Sequence, residues 1–93
     1  MEKILMKVTQ TTSTYEVNGN SKPTCKDSRT RTRAVMSETE TQALTDAMNL
    51  FLAKSNQDGY LVQKIEESVN EAYFTLVHLN SPNTYMEVKI KIN

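Results

Sequence analysis

Arg29-Thr30-Arg31-Thr32-Arg33 is the stretch whose residue types and spacing point most directly to chemistry. On an extended chain alternate residues share a face, so these guanidiniums form one row with about 6.7 Å between neighbours. Such a row can pair with carboxylates on an acidic protein surface, or with successive phosphates of a nucleic-acid strand. Lys22 and Lys26 lie just upstream, and Tyr15 lies on the strand expected to pair with this one. These residues form the candidate partner-binding set: Arg29, Arg31, Arg33, Lys22, Lys26 and Tyr15. The plainest alternative is a solvated strand face whose arginines pair with Glu16 or another acidic neighbour.

Catalytic groupings are sparse. His78 is the sole histidine and sits inside an apolar run, so it reads as a core or interface histidine holding one hydrogen bond. No second His or Cys stands at ligand spacing, so neither a metal nor a cofactor site is expected. Ser81 lies near His78 but lacks an orienting acid and an oxyanion site. Glu66 and Glu67 are adjacent, so on a strand they face opposite ways and cannot act as a pair. Cys25 is the single cysteine and reads as an incidental thiol. With only Gly19 and Gly59, no glycine-rich phosphate loop is present, and no aromatic RNA-binding signature accompanies the arginines. A non-enzymatic protein is expected.

Ninety-three residues support one domain with one modest core. Eleven basic and eleven acidic residues cancel, so no general attraction to nucleic acid or membrane follows from the total. Their distribution is uneven. Residues 1–35 carry seven basic against three acidic side chains, and residues 36–80 carry two against seven. If those regions lie apart in space, the molecule is an electrical dipole. Met1–Val8 is too short and too charged for a signal peptide, and no run reaches the ~18 apolar residues of a membrane span. A soluble, cytoplasmic protein is expected, in keeping with the unpaired cysteine.

Hydrophobic periodicity supplies the elements that must carry the row. Ile4, Met6 and Val8 alternate with polar residues as a half-buried strand, with Leu5 an apolar exception on the polar face. The Thr-rich run to Val17 continues it through a bulge. Asn18-Gly19 begins a turn that ends at Pro23, and Thr24–Met36 returns, with Val35 sharing the arginines' parity. Residues 14–28 are expected to form a protruding hairpin tip. Ser37-Glu38-Thr39-Glu40 has the form of a capping box for a helix over about 38–54. Ala43, Leu44, Ala47, Met48, Phe51 and Leu52 form its apolar stripe. Tyr60–Glu67, Ala72–Leu79 and Tyr85–Ile92 read as three further strands. Ala72–Leu79 is apolar on both faces and so interior. Lys89 and Lys91 on the last strand suit an edge.

The fold expected is α+β: a single domain, β-β-α-β-β-β, with an antiparallel sheet of about five strands and one helix packed on one face. One helix, about 10–12 Å across, cannot cover such a sheet. Leu5, Val35, Tyr73, Val77 and Leu79 are therefore expected on the helix-free face as a self-association patch, giving a homodimer. The function expected is stoichiometric protein binding, as an inhibitor or adaptor, through the basic strand face. Phage and other mobile elements encode many such domains. Nucleic-acid binding by the same arginines is the alternative, and a structural subunit of a larger assembly is a further one.

Overall fold

The computed structural model describes residues 2–93. Strands β1 (Ile4–Glu16) and β2 (Thr24–Ser37) form a long hairpin, followed by helix α1 (Glu40–Gln57). Strands β3 (Tyr60–Glu67), β4 (Glu71–His78) and β5 (Ser81–Ile92) complete the chain. All five strands lie in one antiparallel sheet, ordered β2-β1-β5-β4-β3. The fold is thus the expected α+β domain with a single helix on one face. The molecule is elongated, 52 × 21 × 19 Å, because the hairpin strands are long.

The hairpin turns where Gly19 takes a positive φ of 59°, and Ser21 N–H bonds the Asn18 carbonyl at 3.1 Å. A bulge between Thr14 and Tyr15 shifts the β1/β2 register. β1 also pairs with β5 as far as Glu16↔Thr84, so its distal half is backed on both sides. The last strand therefore does not lie at an edge. Alternation tells which face a side chain takes, not which strands flank it; Lys89 and Lys91 line the open face of a central strand.

The helix begins two residues later than the capping-box reading places it. Ser37 still pairs with Ile4 at the end of β2 and so cannot cap. Thr39 is the cap: its hydroxyl accepts from Gln42 N–H at 3.0 Å, while Ser37 Oγ donates to the Thr39 carbonyl at 3.2 Å. At the other end Gly59, with φ 86°, closes the helix. A Cβ there would stand in van der Waals contact with the His78 ring, 3.4 Å from Nε2, so it is the positive φ that favours glycine.

Ala43, Leu44 and Ala47 bring the helix onto Met6, Val8, Ala72, Phe74, Leu76, Met86, Val88, Ile90 and Ile92, all buried. Phe51 meets Phe74 with ring centroids 5.4 Å apart. The core is concentrated on β4 and β5, where Phe74 pairs with Val88 and Leu76 with Met86. Leu76→Ala is therefore expected to cost about 3–4 kcal/mol in urea unfolding, from lost transfer energy plus the cavity left behind. Thr39→Ala should cost about 1 kcal/mol, and Thr39→Asn should restore most of that.

Candidate functional site

The β1/β2 register decides where the arginines point. Val8 pairs with Arg33, Gln10 with Arg31 and Thr12 with Arg29. Paired residues share a face, and Val8 is buried under the helix. The arginine row therefore rises on the helix-bearing face, along its uncovered margin. Between it and α1 runs a trench. One stretch, of about 370 Å³, lies between Arg31 and Arg33 on one side and Leu50, Phe51 and Lys54 on the other. The next, of about 300 Å³, continues past Gln10 and Thr12 to Met86, Tyr60 and Asp58. Gln10, Arg31, Phe51 and Lys54 line both, so they form one continuous channel.

The trench exists because β1 changes character along its length. Met6 and Val8 are buried, whereas Gln10 and Thr12 on the same face are only half-buried. Leu50 stays 62% exposed on the helix flank. Arg29 Nε is held by Asp27 Oδ2 at 2.9 Å. Arg31 and Arg33 form no ion pair among the described residues. The site thus combines two free guanidiniums, a lysine across the channel, and apolar surface from Leu50 and Phe51.

The other candidate residues divide. Lys26 is tied to Glu16 at 3.1 Å, and Lys22 lies exposed in the hairpin loop. Tyr15 does not join the arginines. It lies on the opposite face, stacked on Tyr85 with centroids 5.1 Å apart and planes within 15°. Burial, reinforced by the Glu87 carboxylate and then by Tyr15, raises the Tyr85 phenol above its ordinary pKa.

The helix-free face differs from the expected apolar patch. Val35 is not on it: paired with Met6, it packs against the core on the helix side. Leu5 stands beside Met36 at one end, and Val77 lies at the other, in a cross-strand row with Tyr15, Tyr85 and Leu61. Leu79 sits in the β4–β5 turn. Tyr73 lies between the ends with Lys89 5.5 Å over its ring. The Tyr73 hydroxyl, aided by Glu71, raises the Lys89 pKa. Hydroxyl pairs and ion pairs fill the rest. Thr9/Thr32, Thr11/Thr30 and Ser13/Ser28 meet at 3.3, 3.1 and 3.0 Å, while Lys64–Glu66 and Lys91–Glu71 close at 2.9 and 3.7 Å.

His78 is engaged at both nitrogens. Nδ1 accepts from Asn80 N–H and Nε2 donates to the Asp58 carbonyl, each at 3.1 Å, with Tyr60 edge-on at 4.8 Å. This fixes the Nε2–H tautomer and holds the helix end to the β4–β5 turn. Cys25 is exposed, its Sγ 3.6 Å from the Asp27 carbonyl. Among the described residues no group of three His, Cys, Asp or Glu side chains is placed to hold a metal. Nor is any helix there long and apolar enough to cross a membrane.

Sequence reasoning missed Lys54, Leu50, Phe51, Gln10 and Thr12 as lining residues. Two signals pointed to them. The apolar alternation of β1 stops at Val8, and Leu50 and Lys54 stand four apart on one helix flank. No family model matches the chain, and no curated protein or solved structure matches it either.

Because the folded chain favours the neutral Tyr85 phenol, it holds that proton above the pH at which an unfolded tyrosine loses it. Stability from this group is complete below the ordinary tyrosine pKa and is lost as pH rises through the raised value. An absorbance titration should show a phenolate component above the usual range, and Tyr85→Phe should remove it.

Proposed function

We propose that this protein is a small non-enzymatic binding module that captures an acidic partner protein in the trench between β2 and α1. It acts stoichiometrically, as an inhibitor or adaptor. The observation that carries this reading is the state of Arg31 and Arg33: among the described residues neither forms an ion pair, and they face Lys54 across a channel with apolar walls. Both guanidiniums are exposed, so a partner that covers them against Leu50 and Phe51 would exclude water and strengthen a bidentate carboxylate bond. Leu50 and Phe51 add area that a partner can bury. A cytoplasmic setting belongs to the same reading, since a reducing compartment keeps the exposed Cys25 thiol free.

Charge distribution favours a protein over nucleic acid. The chain is neutral overall. The far edge strand β3 carries Glu66 and Glu67 against Lys64, a net negative charge that disfavours a long polyanion more than a compact acidic surface. On the helix-free face the row Tyr15, Tyr85, Val77 and Leu61 lies at the opposite end from Leu5 and Met36, and the proposed working unit is one chain with one partner.

Affinity capture from native host extract, followed by direct binding of the purified partner, tests the proposal. Wild type should bind an acidic protein whether or not nuclease is added. Arg31→Ala/Arg33→Ala should bind it about thirtyfold more weakly, the equivalent of about 1 kcal/mol per charge pair. Binding that disappears with nuclease, and weakens with a log–log salt slope of about −2 to −3, would assign the arginines to phosphate instead. Sedimentation of the protein alone should return a single species at its 10.6 kDa mass.

A further inference from the structure

The open edge of the sheet beside the arginines specifies how the partner binds, and this inference rests on the reading just given. We infer that the partner contributes an extended segment that adds as a sixth strand to the free edge of β2, with carboxylates at every second position. Among the described residues β2 pairs only with β1 along Thr24–Ser37, and no strand lies beside its outer edge. Such an edge presents a row of unpaired N–H and C=O groups. In an added strand, side chains stand directly opposite those of β2, about 5 Å away and on matching faces. On the helix side they would meet Arg29, Arg31 and Arg33. On the other side they would meet Ser28, Thr30 and Thr32, whose hydroxyls already pair with those of β1. The complementary strand therefore alternates Glu or Asp with Thr or Ser. Backbone bonds supply strength, and the alternating charges supply register.

The same row disfavours a second copy of this chain at the edge. Two β2 strands side by side would set arginine against arginine, and like charges directly opposite destabilise a sheet. The other edge suits strand addition less well. β3 is bulged between Val62 and Lys64, which interrupts its ladder, and its Lys64 is already paired with Glu66. On its helix side it carries Val62 and Ile65 rather than a charge row.

Labelled peptides of about ten residues test this by fluorescence anisotropy in about 50 mM salt, where charge pairing is little screened. One alternates Thr and Glu. A second has the same composition with all glutamates in one block. Two more carry the alternating sequence with N-methyl groups on alternate amides, in either parity. The alternating peptide should bind about tenfold more tightly than the block peptide. N-methylation in one parity should weaken it at least about tenfold, because the N–H groups that face β2 are blocked, and the other parity should be tolerated. Arg31→Ala/Arg33→Ala, whose folding circular dichroism checks, should weaken it at least about fivefold.

If the block peptide binds as well, or both N-methylated peptides bind as well as the parent, strand addition is overturned; retained dependence on the arginines would leave the acidic-partner reading standing. If no peptide binds although an acidic protein is captured through the arginines, strand addition is again overturned. A single-stranded oligonucleotide that binds more tightly than every peptide overturns both.

Discussion

One helix has to shelter a sheet about twice its own width, and most of the molecule follows from that mismatch. Five strands at about 4.8 Å spacing span roughly 19 Å between the outer strand axes, against about 10 Å for a helix with its side chains. α1 sits where the apolar residues are densest, over β5, β4 and the first half of β1. The buried positions trace its footprint. Where its cover ends, the same face turns to Gln10, Thr12 and the arginines, which need water or a partner. The trench is the boundary between those regimes. On the opposite face, where no helix lies, hydroxyl ladders and lysine–glutamate pairs hold a surface that tolerates solvent.

Strand order turns an uneven sequence into an uneven surface. The basic N-terminal third folds mainly into β1 and β2, and much of the acidic middle lies in β3 and its flanking turns. The order β2-β1-β5-β4-β3 sends β2 and β3 to opposite edges. β2 carries Lys26, Arg29, Arg31 and Arg33 against Asp27, whereas β3 carries Glu66 and Glu67 against Lys64. The sum is zero, but the two edges are roughly 19 Å apart, more than the Debye length of about 8 Å in physiological salt. Each edge therefore acts on its surroundings with its own sign.

The element types and their order were legible in the chain because each has a strong local signature. Asn18-Gly19 marks the hairpin, the Ala43–Leu52 stripe marks the helix, and Tyr85–Ile92 alternates cleanly. The arginines' common face was legible for the same reason, since period two requires it. What stayed hidden depends on neighbours rather than on period. Val35 was assigned to the wrong face because parity within β2 does not say which side the helix takes. That follows only from pairing with Met6. The lysines of β5 resemble edge protection, yet they stand on a central strand whose open face is wet. Ser37 fits a cap by sequence and loses the role because β2 is still paired there. Only the placement of β2 makes Lys54 one wall of a channel.

The pairing of β1 with β5 also governs how the chain acquires its shape. The first and last strands are neighbours at the centre of the sheet, joined by register from Val8↔Ile92 to Glu16↔Thr84. During synthesis the hairpin and the helix emerge early, but the inner edge of β1 has no companion until the final strand is released. Ordering must then close a loop of most of the chain's length before the central ladder forms, a topology associated with slow folding. Until then the inner edge of β1 from Val8 to Glu16 stays an unpaired ladder.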